Sequence, residues 1–416
     1  MGHKYLLLFL TLIFGVSTAC NAQVKKTKIK TGVEVLTDRN FDVLKGRKVG
    51  LITNASGVNS NLVSTIDILY RAPEVELVAL YSPEHGVRGE IAAGEKVATY
   101  VDDATGVTVF SLYGKTRKPT PEMLENVDVL VYDIQDVGAR SYTFISTMGL
   151  VMEAAAEQGI EVVVLDRPNP LGGRKIEGNI VEEGYFSFIS QFKIPYVYGL
   201  TPGELAKMIN GEGWLESGKK CELTVVPMEG WTRDMSFEDT GLKWVLTSPH
   251  IPHAYSSNFY VSSGIMGELG VISEGVGYTL PFQVFGAEWI DESDFSTRLN
   301  ELEIPGLTFR PIVFKPFYGK NEGKTLHGVQ TYFTDYSKVD LMKVQFYVMQ
   351  VNNELYPDKD VFAMGENRWS SFDKVNGTDQ IRKLFSKNYR VSDIEEYLDK
   401  DIDSFRTLSQ KYYLYK

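Results

Sequence analysis

Five short segments, Lys48 to Ile52, Glu76 to Tyr81, Val107 to Leu112, Val127 to Tyr132 and Glu161 to Leu165, are rich in Val, Leu and Ile and almost unbroken in apolarity. Strands with one wet face alternate; an unbroken run marks a strand buried on both faces, as in a parallel sheet. Helical patterns lie between several of these segments, at Asn61 to Tyr70 and at Ser141 to Gln158, where Phe144, Met148, Val151, Met152 and Ala155 recur at helical spacing. The alternation predicts a doubly wound α/β fold on a mostly parallel sheet. After about residue 215 the pattern loosens, and all five tryptophans fall between Trp214 and Trp369. Strands are expected there at Thr308 to Phe314 and Gly328 to Thr334, and helices at Leu341 to Asn353 and Ser392 to Tyr413. The expected organisation is a parallel-sheet domain over 23–215, then a smaller α+β domain over 216–416 that contributes to the cleft.

The first residues read as an address. His3 and Lys4 precede the apolar run Tyr5 to Val16, and the small residues Ser17, Thr18, Ala19 and Cys20 follow. This is the layout of a secretory signal peptide, spanning 1–22, and the run is too short to cross a bilayer. Cleavage is expected before Cys20, leaving a cysteine open to lipidation, or after Ala22. Ser17 stands where a branched aliphatic residue is commoner in lipidation signals. The mature chain is thus expected to be exported, periplasmic or lipid-anchored at Cys20 to a bacterial membrane.

Composition removes several functions. Lys and Arg number 43 against 54 Asp and Glu, a net charge of −11 that opposes binding to a polyanion, so no nucleic acid is expected as partner. The two cysteines, Cys20 and Cys221, have no zinc-knuckle or Cys-x-x-Cys neighbours. The first strand runs into TNASGVNS, which lacks Gly-x-Gly-x-x-Gly, and Gly114-Lys115-Thr116 lacks the glycine of a phosphate loop five positions earlier. No nucleotide is indicated. No Gly-x-Ser-x-Gly elbow is present for a serine hydrolase. Beyond the first four residues only His85, His250, His253 and His327 remain, with Pro252 interrupting the His250 to His253 spacing, so neither a metal nor any other cofactor is expected.

Open α/β sheets bind ligands at the carboxyl ends of their strands. The first strand ends in Asn54, Ala55 and Ser56; the second runs into Ser82, Pro83, Glu84, His85 and Gly86. The fourth ends in Asp133, Ile134, Gln135 and Asp136, and the fifth in Asp166, Arg167, Pro168 and Asn169. Asp or Asn at one strand end often only caps the next helix; four strand ends with this habit indicate a site. The strongest chemical candidate is the glutamate of SPEHGVRGE. A carboxyl held on a rigid, glycine-flanked loop in a partly dry cleft can stay protonated and donate to a leaving oxygen, as a glycosidase acid does. The plainer alternative is that Pro83, Gly86 and Gly89 shape a turn and Glu84 is solvated.

SPEHGVRGE, YDIQDVGARSYTFISTMG, LDRPNPLGG, YGLTPGELA, ISEGVGYTLPFQVFGAEWID and the stretch from FDKVNGTDQIR to KYYLY, in this order over nearly the whole mature chain, resemble the exo-β-N-acetylmuramidase family known as NamZ. The resemblance implies an exo-acting glycoside hydrolase that releases N-acetylmuramic acid from the non-reducing ends of peptidoglycan fragments, on a Rossmann-like catalytic domain joined to a smaller C-terminal domain. Its catalytic acid corresponds to Glu84, in a Glu84-His85-Gly86 motif. Asn54, Asp133, Gln135, Arg140, Tyr142, Asp166, Arg167 and Asn169 match the family's strand-end motifs and are expected around the sugar. The lactyl carboxylate of muramic acid suits a guanidinium, which makes Arg88, Arg140 or Arg167 its candidate partner; an internal pair with an Asp is the alternative for each.

Thr201-Pro202-Gly203-Glu204 reads instead as a structural capping box. Glu268 and Glu274 lie on a segment able to fold over the cleft, and Asp133, Asp136, Asp166 and Glu274 are candidates for a second carboxylate, about 5 Å from the acid for a retaining enzyme. Trp231, Trp244 and Trp289 suit core packing better than sugar stacking. Three positions depart from the family pattern: His250 and Val271 replace Asn, and Val276 replaces Arg. They motivate the alternative of a noncatalytic periplasmic muropeptide- or sugar-binding protein. An amidase or esterase acting on cell-wall peptides is a third reading.

Overall fold

A computed structural model of the chain, which describes residues 29–89 and 98–416, gathers the five apolar segments into one sheet. The expected signal peptide and Cys20 lie outside the described residues. The strands are β1 (Lys48–Thr53), β2 (Glu76–Ser82), β3 (Tyr100–Val101), β4 (Thr108–Ser111), β5 (Val129–Asp133), β6 (Glu161–Leu165) and β7 (Leu223–Val226), in the order β3-β4-β2-β1-β5-β6-β7. All neighbours are parallel except β3, which pairs antiparallel with β4 at the edge. The chain leaves β1 in one direction through β2 and β4, then crosses back to lay β5 on the other side of β1. The order reverses there, and the crevice beyond the carboxyl ends of β1 and β5 is where such a sheet takes a ligand.

The lack of alternation has its expected cause. Val49, Leu51, Val129, Val131 and Val163 fill one face with the helices Gly32–Asp38 and Thr65–Arg71. Ile52, Leu130, Tyr132, Val162 and Val164 fill the other with Phe144–Gln158 and Pro202–Gly211. Each fully buried aliphatic side chain contributes about 1.5–3 kcal/mol. The helix expected from Asn61 starts later, at Thr65, because Asn59 Oδ1 accepts the backbone N–H groups of Asn61 and Val63 and holds a turn there, and Ser64 then caps the helix through Ile66 N–H.

The second sheet is antiparallel, β8 (Val284–Ala287), β10 (Leu326–Phe333) and β9 (Leu307–Phe314) side by side. It packs with the helices Ser256–Gly267, Glu292–Asn300 and Val344–Leu355 and with the shorter helices that follow. The helix expected over Ser392 to Tyr413 is divided into Ser392–Asp399 and Ile402–Ser409, with a 3₁₀ turn at Gln410–Tyr412. β7 follows residue 215 in sequence and belongs to the first sheet, to which Leu414, Tyr415 and Lys416 also return.

Candidate active site

β2 delivers Ser82 and then turns sharply through Pro83, Glu84, His85 and Gly86. His85 has φ 78° and Gly86 φ 79°. Glycine takes this left-handed region freely; a buried histidine there is strained by roughly 1–3 kcal/mol, and such strain persists only where its surroundings impose it. Glu84 is half-buried at the bend. Its carboxylate accepts a hydrogen bond from the phenol of Tyr113, which follows the neighbouring strand β4; burial and that bond push Tyr113 up to about 12. Adjacent strand ends therefore supply both the carboxyl and its partner.

His85 faces the second-half segment that crosses above it. The His250 ring lies close enough that burial, and then His85, hold it below the usual imidazole range, while its Nε2 bonds the Tyr318 hydroxyl and the two rings stack at 5.9 Å. A hollow of about 60 Å³ between the two parts is lined by Asn54, His85, Arg88, Thr247 and Ser248. Tyr142, which follows β5, shares a 2.6 Å hydrogen bond with Thr247 Oγ1 of this lining and meets Tyr260 edge-on at 5.6 Å.

The other expected residues are brought to the same sheet edge but spend their polar atoms inward. Asn54 Oδ1 accepts Ser56 N–H at 2.9 Å and Ser56 O–H at 2.5 Å, and its amide reaches Thr247 O at 3.5 Å. Asp133 takes Arg167 on both oxygens, at 2.5 and 2.9 Å, together with Thr65 O–H at 2.5 Å. Gln135 donates to Asp136 O and Pro168 O, and with Arg167 it lines a smaller hollow beside Ser56. Asn169 ties Leu171 N–H to Leu200 O. Asp166 accepts from Arg167 N–H, Gly203 N–H, Thr201 O–H and Tyr415 O–H; burial still pushes it up to about 7.

The three arginines are likewise engaged. Arg88 grips Asp102 with two bonds of 2.6 and 2.9 Å and reaches Asp67 at 3.2 Å. Arg167 is paired with Asp133. Arg140 is buried with no acid on it among the described residues: the Ser190 hydroxyl oxygen and the carbonyls of Asn179, Ile194 and Val375 accept from its donors, and burial lowers it to about 9. It fastens one half of the molecule to the other.

Glu274, in the second half of the chain, is half-buried with its carboxyl laid against Gly267, where an added Cβ would sit 3.1 Å from Glu274 Cδ. Burial, reinforced by nearby Glu268, pushes it up to about 7, while Arg368 and Lys320 oppose the shift. Of the departing positions, His250 is beside the acid loop, whereas Val271 packs against Gly365 and lines a separate hollow with Trp289. Trp231 and Trp244 pack edge-on against Tyr415 and Phe237, and Trp289 donates to Asn352.

Tyr113 and Tyr260 were not among the expected site residues, and Glu268 was expected only on a segment able to fold over the cleft. Tyr113 had a signal, since it follows the third apolar strand as Glu84 follows the second. Tyr260 and Glu268 belong to a helix, Ser256–Gly267, and its C-cap, whose serine- and glycine-rich sequence carries no amphipathic stripe.

Family models for exo-beta-N-acetylmuramidase NamZ match the chain, the N-terminal one over residues 49–255 and the C-terminal one over residues 258–415. The chain is 44% identical over 422 residues to the peptidoglycan beta-N-acetylmuramidase NamZ of Bacillus subtilis strain 168, covering 99% of this chain and 100% of that one. A crystal structure of a DUF1343-family protein from Bacteroides fragilis superposes with a TM-score of 0.90 at 57% identity, over 94% of this chain and 99% of that one. A second DUF1343-family structure from the same organism has a TM-score of 0.74 at 29% identity with the same coverage. With both family models matched in order across the two halves, the chain belongs to the exo-beta-N-acetylmuramidase NamZ family.

Proposed function

We propose that this protein is an exo-acting glycoside hydrolase that releases N-acetylmuramic acid from the non-reducing ends of peptidoglycan fragments, with Glu84 as general acid and base. The observation that carries the reading is the half-buried Glu84 carboxyl, fixed on the strained His85–Gly86 bend at the ligand-binding edge of the sheet and bonded to Tyr113, in a chain of this family. In the protonated form Glu84 donates to the bridging oxygen as the glycosidic bond breaks, and as carboxylate it then takes a proton from the attacking water. His85 keeps the bend and packs beneath the sugar. Opposite charge development at the anomeric carbon is met by the 2-acetamido group of the substrate or by a second carboxyl, for which Glu274 is the one candidate whose carboxyl is not already held by donors of other residues. Residues 1–22 direct export, and Cys20 is the candidate lipid attachment point.

The test is release of the chromophore from a chromogenic β-N-acetylmuramide between pH 5 and 8 by the native protein and by Glu84→Gln. Loss of at least about 100-fold in kcat on substitution, with the fold intact by circular dichroism, is the expected result. Equal rates for the two would remove Glu84 from the chemistry. A muramyl-glucosamine disaccharide must yield a new reducing end, which separates glycosidic cleavage from amidase or esterase action. Release of the protein from membranes on Cys20→Ser tests the anchor.

A further inference from the structure

We propose that a groove on the flank of the first domain binds the part of the glycan chain that lies beyond the bond being broken. This rests on the exo-hydrolase reading, because only a chain substrate has such a part. The groove encloses about 690 Å³ beside the helix Phe144–Gln158, and its far wall is aromatic: Phe186, Phe188, Phe192 and Trp214. Phe192 and Trp214 stack at 6.4 Å with 20° between their planes. Gly149 on the helix makes room for this platform, since a Cβ there would sit 2.2 Å from Phe192 Cζ.

Cations stand over these rings. The Arg117 guanidinium lies 4.3 Å from the Phe188 centroid and Lys193 lies 5.9 Å from that of Phe186, with Lys118 at the rim. Lys118 is answered by Glu157 and Lys193 by Glu183; Arg117 has no ion-pair partner among the described residues. The acids on the lining are Glu216 and Glu153, whose Oε1 is turned to Ser217 N–H at 2.9 Å. A ligand-sized hollow with apolar faces and a few convergent cations, on a chain of net charge −11, fits an acetamido-sugar chain bearing carboxylates. Phe192 is buried beneath the platform, the exposed Phe186 and half-buried Phe188 take the apolar faces of the sugars, and Arg117 takes a carboxylate.

The groove is also on the right side. Tyr113, bonded to Glu84, precedes Arg117 by four residues on the segment leaving β4, and the charge of Arg117 is felt at its phenol. The acid must touch the oxygen that leaves, so the remainder of the chain departs past Glu84 and towards this wall.

The experiment compares the native protein, Phe188→Ala and Lys193→Glu, at an exposed position, on two substrates: a chromogenic single muramide and a muramic-acid-ended chain of four sugars. The KM ratio of chain to single sugar should rise about tenfold in each variant. An unchanged ratio overturns the groove, whereas a native protein that cleaves neither substrate overturns the hydrolase reading. A separate readout is calorimetric binding of the four-sugar chain to Glu84→Gln. Addition of Phe188→Ala should weaken it about tenfold, and binding of a neutral acetylglucosamine chain with equal strength would overturn the role of the cations.

Discussion

Asp133 and Asp136 stand three residues apart at the end of β5 and show what a buried carboxyl requires. Asp133 receives a guanidinium and a hydroxyl; Asp136 receives Tyr198 O–H and Gly138 N–H on one oxygen and nothing on the other, and burial pushes it up to about 6. The folded state therefore holds the Asp136 proton more tightly than the unfolded chain, where an aspartate titrates near 4. Its contribution to stability is complete below that pH and is lost as pH rises through about 6. Urea unfolding from pH 4 to 8 should show the native protein losing on the order of 2–3 kcal/mol relative to Asp136→Asn over this window. Tyr113→Phe removes the donor to Glu84 at a half-buried position; kcat should fall about tenfold with little change in melting temperature, as measured on the chromogenic substrate. Among single residues, the bend that carries Glu84 and His85 was legible, because a proline and glycines follow a buried strand there. Asn54, Asp166 and Asn169 show why the rest was not: an Asx side chain that organises its own loop and one that faces a ligand are the same letter at the same place.

At the scale of elements, the helix Pro202–Gly211 begins as its sequence predicts. Glu204 reaches back to Thr201 N–H at 3.1 Å, and Thr201 Oγ1 takes Glu204 N–H at 3.2 Å. What spacing could not reveal is that Glu204 is fully buried and receives Arg233 at 2.7 and 2.8 Å and Leu414 N–H at 2.9 Å. Glu204→Ala leaves that guanidinium without its carboxylate inside the protein, and urea unfolding should show a loss of about 3–5 kcal/mol, well beyond that of a surface cap. The five core strands were legible from continuity of apolar residues alone. The edge strands β3 and β7 were not, since they are short and half-exposed and owe their form to a neighbour already in place. Likewise Ser392 to Tyr413 carries helical periodicity throughout, yet the chain turns at Lys400 and Asp401, where Lys400 pairs with Glu182 and Asp401 takes Ile180 N–H. A local pattern does not record such distant partners.

Across the whole molecule, the two halves are sewn together by contacts that no periodicity announces. Val375 O completes the shell of Arg140, and Tyr415 lies between Asp166, at 2.5 Å, and Met228 N–H, at 2.8 Å, with its ring edge-on to Trp231 at 5.0 Å. Tyr415→Phe keeps the ring and removes both hydrogen bonds, so it should cost about 1–3 kcal/mol in urea unfolding, with a single transition reporting on both halves. Two independent transitions in the native protein would show that these ties do not couple the halves. The stitching also sets an order of events. The carboxyl of Asp166 and the guanidinium of Arg140 are buried by residues more than 200 positions later, so the first domain cannot be finished when only its own residues have emerged. A chain threaded from one end must wait, incomplete and in need of protection, until Val375 and Tyr415 arrive to close the seam.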